Sequence, residues 1–254
     1  MDLHLKDKII LVTAASRGLG FATAQALSNE GAKIIICGRT EASLKTAVDR
    51  LGDQSRYVVA DVSRLEDVKS LINSIESREE MLDGIFVNAG GPPPGTFDRL
   101  TEADWEQSFQ LTLMSTVRLT REALPLLERS SAPSILYDTS ISVKQPIGNL
   151  LLSNAFRAAV IGMMRTLSEE IGPKGIRVNA VCPGYMDTER VKELMKATGN
   201  VEQATGNITS NVPLGRMGNP SEFGAVCAFL LSPIASYVHG ALLLVDGGLY
   251  KGMM

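Results

Sequence analysis

The sequence predicts a single doubly wound α/β domain, a seven-stranded parallel sheet between two layers of helices. Three observations lead there. Seven short runs are apolar almost without interruption, as strands covered on both faces must be. Helical stretches alternate with them, and strand–helix alternation with right-handed crossovers builds a parallel sheet. No internal repeat, linker or charge block divides the 254 residues, a length that α/β chains commonly fold as one unit.

The strands are expected at Lys8–Thr13, Lys33–Cys37, Tyr57–Ala60, Asp83–Val87, Ser134–Thr139, Arg177–Val181 and Leu242–Val245. Helices are expected near Gly18–Glu30, Thr40–Leu51, Leu65–Ser77, Glu102–Arg129, Leu150–Ile171 and Pro220–Leu231. Three loops interrupt this rhythm, and each follows a strand. Gly91-Pro92-Pro93-Pro94-Gly95 is stiff and extended. Ser142–Gly148 carries Lys144, Gln145 and Pro146, and Tyr185–Leu214 is a long polar stretch expected to form a helix-containing lid over the substrate. Strand ends of open α/β sheets deliver such loops to a shared ligand-binding crevice.

Composition narrows the function. Hydrophobic residues make up 44% and charged residues 21%, ordinary for a globular chain, and the formal net charge is −3. That charge gives no electrostatic reason to expect nucleic acid. No apolar run is long enough for a membrane span, and the opening Met1–Asp7 lacks a secretory pattern. Cys37, Cys182 and Cys227 stand apart in apolar stretches and read as buried free thiols; with only two histidines, His4 and His239, no metal site is expected. A cytoplasmic protein is the expectation.

The first strand runs directly into Thr13-Ala14-Ala15-Ser16-Arg17-Gly18-Leu19-Gly20, and a helix follows. Glycines at such a turn bring backbone amides and a helix N-terminus against a pyrophosphate. The spacing resembles the TGxxxGxG motif of the short-chain dehydrogenase/reductase family, with Ala14 at its first glycine. A Cβ there costs on the order of 1 kcal/mol if the position needs positive φ, which would modify cofactor binding. Further motifs follow in family order: Asp61-Val62 after the third strand, Asn88-Ala89-Gly90 after the fourth, Pro183-Gly184 with Thr188, and the tail from Pro213-Leu214-Gly215-Arg216 through Val245-Asp246-Gly247-Gly248. The likeness spans essentially the whole chain and is of the 3-oxoacyl-ACP-reductase-like type.

This resemblance implies a Rossmann fold, a bound dinucleotide and a carbonyl/alcohol substrate pair. It assigns cofactor contacts to Thr13, Ala15, Ser16, Arg17, Gly18, Leu19, Gly20, Arg39, Asp61, Val62, Asn88, Ala89, Gly90, Arg157, Pro183, Gly184 and Thr188. Charge argues the choice of cofactor. A preference for NAD(H) needs a carboxylate near the end of the second strand to hold the ribose 2′-hydroxyl. Here Cys37-Gly38-Arg39-Thr40 stands instead, and Arg39 with Arg17 suits a 2′-phosphate, which favours NADP(H).

The catalytic pattern departs from the family's. Relatives use Ser, Tyr and Lys with a supporting Asn, the Tyr and Lys forming a YxxxK pair one helical turn apart. This chain has no YxxxK. The family register places Ser140 on the catalytic serine, Ser153 on the tyrosine, Arg157 on the lysine and Thr112 on the asparagine. Ser153 is shorter and far less acidic than a tyrosine, and Arg157 can bind a ribose but does not readily release a proton. Lys144, four residues after Ser140, is a candidate acid or an anchor for an anionic substrate.

Three functions remain open on the sequence. The first is an NADP(H)-dependent oxidoreductase with a non-standard site. The second is a dinucleotide-binding protein that no longer turns over. The third is a non-redox enzyme like the halohydrin dehalogenases, which carry the family's Arg variant but keep the Tyr and lose the dinucleotide motif. The resemblance also implies a homotetramer or homodimer assembled through the two long helices and the C-terminal strand.

Overall fold

Residues 1–196 and 199–253 are described by the computed structural model. The chain alternates β1 (Ile9–Val12), α1 (Gly18–Asn29), β2 (Lys33–Gly38), α2 (Glu41–Leu51), β3 (Ser55–Val59), α3 (Leu65–Glu76) and β4 (Gly84–Val87). It continues with α4 (Glu102–Ser108), a π-helical segment (Phe109–Met114), α5 (Ser115–Leu127), β5 (Ser134–Asp138), α6 (Leu151–Ile171) and β6 (Arg177–Pro183). Within the lid stretch lie α7 (Glu189–Lys196) and α8 (Val201–Asn211), followed by α9 (Pro220–Leu231) and β7 (Leu242–Val245).

All seven strands are parallel, in the order β3-β2-β1-β4-β5-β6-β7. The order reverses between β1 and β4, and that switch point opens a crevice at the carboxyl ends of the strands. One apolar layer packs α3, α5 and α6 against the sheet through Leu71, Leu119 and Met164. The other packs α1, α2 and α9 through Leu27, Leu44 and Phe223. Side chains alternate between the layers along each strand: on β1, Leu11 joins the first and Val12 the second.

Local chemistry sets the helix ends. Asn219 accepts from Ser221 N at 2.9 Å, and Glu222 accepts the Asn219 backbone N–H at 2.7 Å, fixing the start of α9. That helix lies so close to α1 that a Cβ on Gly224 would collide with the Ala22 carbonyl oxygen. All three cysteines are buried and free, as expected.

Three expected elements differ by more than a residue, the sixth strand running on to Pro183 rather than ending at Val181. The third strand begins at Ser55 rather than Tyr57, because Arg56 pairs with Ile35 in the ladder despite its charge. The single helix expected over Glu102–Arg129 is divided by the π-helical segment, whose wider turn changes the direction of its side chains without any Gly or Pro.

Candidate active site

The floor of the crevice is a hydrogen-bonded clasp between the ends of β1 and β4. Thr13 Oγ1 donates to the Asn88 carbonyl oxygen at 2.7 Å and accepts from Asn88 N at 2.8 Å. The Asn88 side-chain amide donates to the carbonyl oxygens of Thr13 and Ala14, each at 3.3 Å. Thr13 is wholly buried, so it shapes the turn from behind. Ala14 takes φ +48°, the left-handed conformation that the family's glycine adopts without strain. Gly20 is held in contact with this turn, and a Cβ on it would lie 2.7 Å from the Ala14 oxygen and 2.8 Å from Asn88 Nδ2.

Above that floor the geometry suits a diphosphate. Arg17, at the start of α1, offers no side-chain cap, so the first amides of the helix remain available to a ligand. Gly18 has φ +63° and open space where a Cβ would point. Ser16, Arg17, Gly18 and Leu19 all line a cavity of about 580 Å³, while Thr13, Ala15 and Gly20 support it from beneath. The residues present fit a dinucleotide.

One end of the cavity is formed by Gly38, Arg39, Asp61 and Val62. Asp61 is oriented by Ser63, whose N and Oγ donate to Oδ1 at 3.0 and 2.7 Å. Arg17 and Arg39 are exposed side chains on this rim. Glu41, the first carboxylate after β2, accepts the Tyr57 hydroxyl at 3.1 Å and is not part of the lining. The charge at this end is therefore basic where a ribose 2′-substituent would lie, with Asp61 placed further along.

The other end gathers Ala89, Gly90, Ser140, Ser153, Arg157, Pro183, Gly184 and Thr188. Ser153 and Arg157 stand one turn apart on α6 and face the cavity together. Ser140 Oγ accepts from Ser142 N at 3.1 Å, which orients the hydroxyl and leaves its proton free to donate. Arg157 Nη1 donates to the carbonyl oxygens of Asp138 at 3.0 Å and Thr139 at 2.7 Å. Part of the guanidinium is thus spent on the end of β5.

Two candidates lie elsewhere. The short helical turn Ile141–Val143 directs Lys144 outward; it is exposed, with Nζ 5.9 Å from the Tyr250 ring centroid, and does not reach the cavity. The expected desolvated lysine acid is not what the fold presents. Thr112 sits in the π-helical segment, buried behind the lining, and its Oγ1 has no partner among the described residues.

One lining residue was not singled out from the sequence. Asp138 ends β5 two residues before Ser140, and its Oδ1 is sealed from solvent without a hydrogen-bond partner among the described residues. Burial pushes this carboxyl up to about 7, against the lowering effect of Arg157. A carboxylate closing a buried strand was the available signal.

The stretch after β6, expected from the sequence to form a lid, also borders the cavity. Glu189, Arg190 and Glu193 of α7 line the cavity, and Arg190 Nη2 donates to the Pro92 carbonyl oxygen at 2.7 Å. That bond joins the lid to the proline-rich loop.

Comparison with known proteins agrees with this geometry. A family model described as enoyl-(acyl carrier protein) reductase matches residues 13–250. The 3-oxoacyl-[acyl-carrier-protein] reductase of Vibrio cholerae is 33% identical over 250 residues, covering 98% of this chain and 99% of that protein. The acetoacetyl-CoA reductase of Synechocystis is 34% identical over 250 residues, covering 97% and 98%. Among solved structures, L-sorbose reductase from Gluconobacter frateurii, complexed with NADPH and L-sorbose, superimposes with a TM-score of 0.93 at 29% identity over 100% of both chains. An NADPH-bound short-chain oxidoreductase from Pseudomonas aeruginosa described as containing an atypical catalytic center gives 0.90 at 29% identity, covering 97% and 99%. This protein belongs to the short-chain dehydrogenase/reductase family and is an oxidoreductase enzyme.

Proposed function

We propose that the protein transfers hydride between NADP(H) and a carbonyl/alcohol pair held against Ser140 beneath the lid. The observation that carries this reading is one continuous cavity. It runs from the open N-terminus of α1 and the Arg17–Arg39 rim to Ser140, Ser153 and Arg157. NADPH-bound structural relatives and relatives named as reductases support the same direction.

When bound, the nicotinamide supplies the hydride. The chain does the rest. The α1 amides and Gly18 receive the diphosphate, Arg17 and Arg39 hold the 2′-phosphate, and Asp61 and Val62 flank the adenine. Arg157 supports the nicotinamide ribose while bound to the end of β5. Ser140 donates to the substrate oxygen, and such preorganised donors strengthen as charge develops there. Ser153 leaves room where relatives carry a tyrosine. Arg190, the basic lid residue in the cavity lining, suits a substrate bearing a carboxylate or phosphate.

The test is NADPH consumption, followed by absorbance, with 3-oxoacyl thioesters and ketoses as probes. Oxidation of NADPH with one of these classes is expected. Tight NADPH binding with no turnover across the panel would instead favour the dinucleotide-binding protein that the missing tyrosine suggests.

We also place the protein in the cytoplasm as an assembly of identical copies. Its three buried free thiols suit a reducing compartment. Among the described residues the outer edge of β7 is unpaired, and Leu243 there and Phe229 on α9 remain 40% and 36% exposed. Homotetramerisation, measured by light scattering, would cover these surfaces.

A further inference from the structure

We propose that Asp138 is the proton store of this site, feeding the substrate oxygen through Ser140 in place of the tyrosine found in relatives. The inference rests on the oxidoreductase reading above and assigns the group that reading lacks. Three observations support it.

The first is placement. Asp138 ends β5 and Ser140 is extended, with φ −165° and ψ 153°, so residues two apart project to the same side and both line the cavity. The second is the unpaired oxygen. Asp138 Oδ1 is shut off from solvent with no partner among the described residues, a state far more costly for a charged carboxylate than for a neutral carboxylic acid. The third is Arg157, whose Nη1 is fixed to the Asp138 carbonyl oxygen and whose charge acts on the carboxyl.

The surroundings make this proton exchangeable. Arg157 on α6 is the charged group that opposes burial. Cys182 on β6 and Cys227 on α9 also lie within electrostatic reach, and burial raises both thiols so that they stay neutral. The carboxylates of the rim and lid, Asp61, Glu189 and Glu193, line other parts of the cavity. The balance is close to neutrality, with the carboxyl held near 7. In relatives a cation lowers a weak phenolic acid toward working pH; here burial raises a stronger acid to the same range.

The step balances. The bound cofactor would supply a hydride to the carbonyl carbon, giving up two electrons, and the C=O π pair would move to oxygen. Ser140 Oγ gives its proton to that oxygen, forming the O–H bond. Asp138 then restores the serine proton through one water, and its carboxylate is reprotonated from solvent. Asp138 acts through Ser140 and is a positioning residue rather than one that touches substrate.

The experiment is calorimetric titration of the whole protein with NADP⁺ and with NADPH, in buffers of different ionisation enthalpy from about pH 5 to 9. The positive ring of NADP⁺ favours the carboxylate, so its binding should release a proton near pH 7 and NADPH binding should not. Asp138→Asn should abolish the release while leaving NADPH affinity within about threefold. Arg157→Met, the second variant, should move the release to higher pH. With acetoacetyl-CoA as probe, kcat/KM should fall above the same pH in wild type and be flat and at least tenfold lower in Asp138→Asn. Binding without proton release, or release that persists in Asp138→Asn, overturns the proposal alone. Binding by neither nucleotide overturns the cofactor assignment with it.

Discussion

Arg157 Nη1 reaches the Asp138 carbonyl oxygen at 3.0 Å and the neighbouring Thr139 oxygen at 2.7 Å, so the cation of the site is fixed to the end of β5, just before Ser140. A lysine ammonium would offer a point charge there. The planar guanidinium instead divides its donors between backbone and cavity, which fixes its position relative to the serine.

Ser140→Ala should reduce NADPH-dependent carbonyl reduction by more than tenfold. Calorimetric affinity for NADPH should stay within about twofold, because among the described residues the hydroxyl is hydrogen-bonded to Ser142 N alone and it lines the cavity. Undiminished turnover would remove Ser140 from the mechanism.

Arg39→Ala should weaken NADPH binding by roughly 10- to 100-fold, as expected for losing a hydrogen bond to a charged group worth about 1.5–3 kcal/mol. NADH lacks the 2′-phosphate, and its affinity should barely change. Equal losses for both would place Arg39 in a structural role.

Thr13→Val removes the hydroxyl that both donates to and accepts from the Asn88 backbone in a fully buried setting. The loss should be about 1–3 kcal/mol, lowering Tm by roughly 2–12 °C. An unchanged melting curve would show that the clasp does not hold β1 and β4 together.

Stability should depend on pH through Asp138. Its folded carboxyl lies near 7 and an unfolded one near 3.9. The native state therefore binds more protons between those values, so the contribution is full below about pH 4 and lost as pH rises through 7. The Tm of Asp138→Asn should gain on wild type between about pH 4 and 7 and hold a constant difference above. A difference independent of pH would mean that the carboxyl does not titrate in this range.

Arg190→Ala cuts the lid's hydrogen bond to Pro92. Substrate KM should rise about fivefold, the equivalent of roughly 1 kcal/mol, with kcat changed less. A protease should also cut the lid faster than in wild type.

The sequence made the sheet legible because buried parallel strands announce themselves as apolar runs, and β1, β2, β4, β5, β6 and β7 all fall on such runs. Arg56 hid the start of β3 because its ladder position depends on pairing with Ile35, which a one-dimensional pattern does not record. The π-helical segment was equally hidden, since no Gly, Pro or other breaker marks Phe109–Met114. Around the cavity, the nucleotide turn is a local motif and was readable down to the strained Ala14. Lys144 and Asp138 were not, because side-chain direction decides both. A single short turn after Ser140 sends the lysine outward, while the strand end keeps the carboxyl inside.

Side-by-side calorimetric titration with NADPH and NADH asks whether the cavity at the β1–β4 switch point takes a phosphorylated dinucleotide. Saturable NADPH binding, at least tenfold tighter than NADH, is the predicted result. Binding by neither at millimolar concentration, or a clear preference for NADH, would contradict the account.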